Sequence, residues 1–198
     1  MNFIIWDRAA DRYKEHNRLV IKNIGLIGDK LGFDPSIIQT LHRAAIFHDA
    51  TKSLLGDVDK AGRLDKSELA FVYDHPYKLN DLIEPFDFAE ERAVLLRHHE
   101  HYNGNGYPDG LKGDEIPLGA RIFAIVDAFA AMTSPRSYRR RYSTEEAIQE
   151  LAAKAGTQFD PILVGAFIDA LKESILHRMS DEKIAGAKTK NGAIIIGA

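Results

Sequence analysis

The 198 residues contain no cysteine, which removes disulfides and thiolate ligands together. Any metal this chain holds must be held by imidazoles and carboxylates. A cysteine-free composition fits the cytoplasm. Long apolar runs are also missing. Met1 to Trp6 is apolar for only a few residues before Asp7 and Arg8, too short for a signal segment or a membrane span, so no membrane association is expected. Positive charge is not in excess either. Twenty-six Lys and Arg face 29 Asp and Glu, and the net charge of −3 argues against affinity for nucleic-acid polymers. It leaves open an anionic small molecule in a local basic pocket. No repeat, heptad run or low-complexity tract is visible. What remains is an ordinary globular balance, 45% apolar and 28% charged, at a length that suits one well-buried domain.

Helical periodicity dominates. Leu19, Val20, Ile24, Ile27 and Leu31 recur at helical spacing from about Asp7 to Leu31, and Gly32 follows as a stop. Asp34-Pro35 restarts a helix as N-cap and first residue, running through Leu41 and Phe47 into His48-Asp49. Ser53 to Arg63 reads as a loop. Asp65 with Glu68 predicts a capping box for a helix from Lys66 to Asp74, with His75-Pro76 at its end. Ala89 to His99 reads as a helix with Ala93, Val94 and Leu96 inward, followed by a Gly/Pro/Asn loop from Tyr102 to Leu118.

Pro117 opens a strongly apolar helix with Asp127 embedded in it, which Pro135 ends before the basic run Arg136 to Arg141. Ser143 with Glu146, and Asp160 with Pro161, open two more helices, the second to about His177. The division expected is one domain over residues 1–180 and a tail over 181–198. In the tail, Asn191-Gly192 is a turn signal before Ala193 to Ile196, which predicts a small hairpin or an ordered extension. The fold class expected is an all-α single helical bundle with a metal site in its core.

Metal chemistry is suggested by Leu96 to Tyr107, where His98, His99 and His101 cluster ahead of a glycine-rich loop. Adjacent histidines point about 100° apart on a helix, so they cannot both pack on one buried face. Both can face metal at a helix end. With His16, His48, Asp49, His75 and Asp127, they make a set that a helical bundle can gather from distant positions. Such donors suit Fe or Mn, with Ni or Zn as alternatives. A site this rich has room for two divalent ions, bridged most naturally by Asp49, which could hold a phosphodiester and activate a hydroxide for in-line attack. Each residue also has a plainer reading. His16 alone is a surface histidine, His75-Pro76 is a helix stop, and Asp127 is half of a structural ion pair. His42, His101 and His177 fit no ligand pattern.

The order His … His-Asp … Asp resembles the HD superfamily of metal-dependent phosphohydrolases. The run His98-His99-Glu100, Gly104, Gly106-Tyr107-Pro108, Gly110-Leu111, Gly113, Ile116-Pro117 and Arg121-Ile122 through Asp127 to Thr133-Ser134 resembles its HD-GYP subgroup, the cyclic di-GMP phosphodiesterases. Ala155 to Pro161 matches downstream. The resemblance covers roughly His16 to Leu171. It implies an HD-domain bundle in which His48, Asp49, Asp127 and His16 hold one ion, and Asp49 bridges to a second held by His75, His98 and His99. Lys52 would assist near the phosphate or the attacking hydroxide, Arg136 and Arg139 would clamp the phosphates, and Gly106, Tyr107 and Pro108 would line the substrate mouth. The guanidinium fork suits phosphate, although a basic run is also an ordinary solvated helix end. Tyr107 offers guanine a stacking face, or simply packs the loop.

The implied reaction opens cyclic di-GMP to linear pGpG and on to GMP. The alternatives are a catalytically inactive module binding a cyclic dinucleotide or a diguanylate cyclase, and a nucleotidase on another nucleotide; a homodimer is a further expectation. Three positions depart from the family's pattern: Thr51 replaces a glycine, and Asn103 and Ala130 each replace an aspartate. Arg12 stands where some members place a glutamate for a third ion, which disfavours a third ion here.

Overall fold

The computed structural model of the chain describes residues 14–50, 65–84, 86–135 and 140–191, with 183–191 by backbone alone. Among these residues there are seven α-helices and no strand. They are α1 (Lys14–Leu31), α2 (Pro35–Phe47), α3 (Lys66–Ile83), α4 (Ala89–Arg97), α5 (Leu118–Thr133), α6 (Thr144–Ala153) and α7 (Pro161–Asn191), with a short 3₁₀ turn at Gly113–Glu115. None of the described helices is long and apolar enough to cross a membrane.

Local signals set most helix starts. Asp34 accepts the N–H of Ser36 with Pro35 at the first position of α2, and full capping boxes form at Asp65/Glu68 and Ser143/Glu146. Gly32 takes φ +66°, the left-handed conformation that closes α1.

The apolar α5 is the centre of the bundle. It packs against α1, α2, α4, α6 and α7, and buries Ile122, Phe123, Ile125 and Val126 completely. Val20, Ile24 and Ile27 of α1, Leu41 of α2, Leu95 of α4 and Phe167 of α7 close the same core. Each such side chain contributes roughly 1.5–3 kcal/mol over leaving it exposed. That wall carries one carboxylate, Asp127, near its middle.

Three helices depart from the sequence reading. α3 does not stop at Asp74 but runs through His75-Pro76 to Ile83. Pro76 removes the N–H that would bond the Val72 carbonyl, and the His75 Nδ1–H donates to that carbonyl instead, at 2.6 Å. The inward face of α4 is Glu91, Val94 and Leu95 rather than Ala93 and Leu96. Glu91 can lie inside because Arg43 of α2 pairs with it. α7 continues past His177 to Asn191, so the residues before Asn191-Gly192 are helix and not the first arm of a hairpin. Residues 192–198 lie outside the described ones.

Candidate metal centre

Four of the expected ligands converge between α1, α2 and α5. His16 stands near the start of α1, His48 and Asp49 follow the last residue of α2, and Asp127 is in mid-α5. His16 Nε2 lies 3.0 Å from Asp127 Oδ1 and 3.1 Å from His48 Nε2. His48 Nε2 is 3.3 Å from Asp49 Oδ2 and 3.5 Å from Asp127 Oδ1, and His16 Nε2 to Asp49 Oδ2 is 3.9 Å. His75, His98 and His99 form a second group, with His75 and His99 Nε2 atoms 3.2 Å apart. The groups adjoin through His48 and His98, whose ring centroids are 6.4 Å apart.

Helix ends orient these rings. The His48 Nδ1–H donates to the Ala45 carbonyl at 2.9 Å, and the His98 Nδ1–H to the Leu95 carbonyl at 2.6 Å. Both carbonyls belong to the last turn of a helix, where the backbone runs out of donors. In α3 the missing N–H of Pro76 has the same effect for His75. A carbonyl only accepts, so the proton is on Nδ1 in all three residues. In the neutral ring each Nε2 is thereby left as the lone pair, the form in which imidazole binds metal.

The donor set fits divalent ions. Ligand atoms about 2.1 Å from one ion lie about 3.0 Å apart at octahedral neighbours and about 3.4 Å apart in a tetrahedron. The contacts in the first group, 3.0 to 3.9 Å, cover that range. Its electrostatics point the same way. Burial disfavours a charged His48, but the carboxylates of Asp49 and Asp127 outweigh it and push the ring up to about 10. Burial likewise opposes an ionised Asp127, yet hydrogen bonds from His16 and His48 hold it well below the usual carboxylate range. The pocket is built to surround positive charge.

The Gly-Tyr-Pro loop closes over the second group. Tyr107 stacks on His99 with centroids 5.0 Å apart and planes 27° from parallel, and it meets Tyr73 edge-on at 4.9 Å. One face of Tyr107 therefore packs on a candidate ligand. A Cβ on Gly106 would fall 2.1 Å from the His101 backbone nitrogen and 2.5 Å from Glu100 Cα, so only glycine fits there. Asn103 Oδ1 accepts the Asn105 N–H at 3.0 Å, a bond that an aspartate would make equally well. Ala130 is fully buried in the core beyond Asp127.

The loop's organiser is Glu100, to which sequence reasoning gave no role. Its buried carboxylate accepts N–H groups from Asp109 at 2.6 Å and from Gly110 and Leu111 at 3.1 Å each. Its place in the motif was visible, but no spacing rule says that a glutamate beside two histidines will turn away from metal. Tyr73 was missed for the same reason. Lys52, Thr51, Arg136 and Arg139 lie outside the described residues. The three histidines without a ligand pattern are accounted for: the His42 ring contacts the Ile21 carbonyl, His101 is half-buried beside Lys154, and exposed His177 faces Asp181.

An HD domain family model matches residues 4–163, most of the chain. The chain is 37% identical over 149 residues to a cyclic di-GMP phosphodiesterase response regulator of Xanthomonas campestris, covering 73% of this chain and 39% of that protein. It is 31% identical over 165 residues to a cyclic di-GMP phosphodiesterase of Thermotoga maritima, covering 80% and 45%. To a 3′3′-cGAMP-specific phosphodiesterase of Vibrio cholerae it is 32% identical over 159 residues, covering 79% and 35%. The chain spans less than half the length of these curated relatives. Among solved structures, an HDG"Y"P protein from Bdellovibrio bacteriovorus superposes with a TM-score of 0.65 over 79% of this chain and 51% of that one, at 21% identity. A cyclic GMP-AMP specific phosphodiesterase of V. cholerae gives 0.63 over 85% and 46%, at 20% identity. The shared fold is the all-helical one described above, and the chain belongs to the HD domain family.

Proposed function

We propose that this chain is a metal-dependent phosphodiesterase that opens a cyclic dinucleotide, cyclic di-GMP first, to linear pGpG and on to GMP. The observation that carries the reading is the pair of adjoining three-ligand groups, His16/His48/Asp49 and His75/His98/His99, with Asp127 against the first. Relatives named as cyclic di-GMP and cGAMP phosphodiesterases support the substrate class. Two bound divalent ions, Fe or Mn, would supply Lewis-acid polarisation of the phosphodiester and activation of water for attack on phosphorus.

The chain's own residues do the rest. Asp49 and Asp127 hold negative charge in a buried pocket, and Asp49 is the residue assigned to both ligand groups. His48, His75 and His98 keep Nε2 aimed inward because their Nδ1 protons are committed to backbone carbonyls. Lys52, Arg136 and Arg139 are assigned to the phosphates, and Gly106, Tyr107 and Pro108 to the edge of the substrate mouth. Residues 1–180 form the catalytic domain and 181–198 a tail in this reading, which places the protein in the cytoplasm. A diguanylate cyclase and a second copy of the chain are the protein partners it admits.

Protein purified anaerobically and loaded with Fe or Mn should convert cyclic di-GMP to pGpG, with the Asp49→Asn variant inactive. Absence of product from any cyclic dinucleotide with every divalent ion tried would overturn the catalytic reading. Tight nucleotide binding without turnover would instead favour a signalling module, the reading that the substituted Thr51, Asn103 and Ala130 motivate.

A further inference from the structure

A second cleft, of about 240 Å³, opens between α1, α5, the start of α6 and α7. It is lined by the same two helices that carry His16 and Asp127, from Glu15 to Leu26 on α1 and by Phe129 and Thr133 on α5. Asn23 is seven residues beyond His16, about 10 Å along the helix axis. Three cations line the cleft: Lys22, Arg141 and Arg178. None of them has a carboxylate partner among the described residues. Glu15, the only acid in the lining, has both oxygens engaged by Arg18 at 2.9 and 3.0 Å. The cleft is therefore cationic in a chain whose net charge is negative.

Asn23 gives the independent sign of a ligand. Asn23 is 2% exposed, lines the cleft, and has a buried Nδ2 with no hydrogen-bond partner. An amide donor left unmet inside a protein costs about 1–3 kcal/mol, so its presence asks for an acceptor. Beneath the polar rim the floor is apolar, with Phe129 and Leu171 almost wholly buried. Cations and an amide donor above an apolar floor suit a molecule that is anionic at one end and flat and apolar at the other.

We propose that this cleft is a binding site for a phosphate monoester carrying a ring, a mononucleotide in size and chemistry, separate from the metal centre. The phosphate would be held by Lys22, Arg141 and Arg178, and an acceptor on the ligand would satisfy Asn23. The proposal does not depend on the chain being a phosphodiesterase.

Isothermal titration with GMP, inorganic phosphate and guanosine tests it, on the metal-loaded protein and two variants. Lys22 and Arg178 are exposed, so the K22A/R178A double variant leaves the core untouched. GMP should bind the wild type and His99→Ala alike, and about tenfold or more weakly to K22A/R178A, the weight of one charge-assisted hydrogen bond. Inorganic phosphate should compete with GMP, and added salt should weaken both. Loss of GMP binding in His99→Ala with retention in K22A/R178A would move the ligand to the metal centre and overturn the proposal. So would guanosine competing as well as GMP, or no saturable binding in the millimolar range.

Discussion

Glu100 is the residue whose replacement would say most about how the site is held together. Its carboxylate takes N–H groups from Asp109, Gly110 and Leu111, all in the turn that follows Tyr107. Bonds to a charged acceptor contribute about 1.5–3 kcal/mol each, so three amount to more than about 4 kcal/mol before the desolvation of a buried carboxylate is subtracted. Glu100→Gln keeps an oxygen where Asp109 and Gly110 donate, but turns an NH₂ toward the Leu111 N–H. It should cost about 2 kcal/mol. Glu100→Ala strands all three donors and should cost about 3–4 kcal/mol, a large share of the 5–15 kcal/mol typical of a domain.

The loop has other anchors, which set how the loss appears. Tyr102 and Asn103 donate to the Gln158 and Thr157 carbonyls, so its base stays fixed while its tip opens. The expectation is local release of residues 104–111, with faster proteolysis there. Bound metal should fall as Tyr107 lifts from His99, and the urea midpoint should fall in the order wild type, Gln, Ala. If both variants melt with the wild type and the loop resists protease equally, Glu100 does not organise it.

Gly106→Ala should be at least as damaging as Glu100→Gln, about 2–3 kcal/mol, because its methyl meets backbone rather than a movable side chain; a urea titration decides. His101→Ala should leave metal content unchanged, whereas His99→Ala should lower it, both by elemental analysis of protein purified without chelator. Pro76→Ala restores an N–H that competes with His75 for the Val72 carbonyl. It should raise thermal stability, since an interior proline costs about 3 kcal/mol, while lowering metal occupancy. A variant both more stable and fully loaded would show that the carbonyl does not orient His75.

Much of this architecture was legible because the signals are local. Asp34-Pro35, Asp65 with Glu68 and Ser143 with Glu146 each act within one helical turn, and each forms as read. The misreadings at Pro76 and Glu91 turned on a side-chain partner that periodicity does not show. Pro76 looked like a stop because the sequence does not show that a neighbouring histidine can occupy the carbonyl that proline leaves open. The inward face of α4 was set wrongly because it includes Glu91, which lies inside only beside Arg43 from another helix. Glu100 is the clearest case. Its neighbours in sequence are candidate metal ligands, and only the path of the loop shows that it bonds backbone nine to eleven residues later.

For His48, His75 and His98 the candidate ligand and the gap in the helix ladder are one phenomenon rather than two. A helix leaves its last carbonyls without donors, and a buried carbonyl without a donor is costly. A histidine just past the end can satisfy one of them with Nδ1, three residues back, as His48 and His98 do. The bond that completes the helix therefore also selects the tautomer of the neutral ring and aims Nε2 away from the helix, while Phe123 packs edge-on against the His48 and His98 rings. Pro76 produces the same opening inside α3 for His75. This is why histidine at a helix break, which reads from sequence as punctuation, is also the chain's means of presenting a lone pair to a buried cation. The His-Asp, His-Pro and His-His pairs fall at such points for a single physical reason, and all three lead into the two adjoining ligand groups.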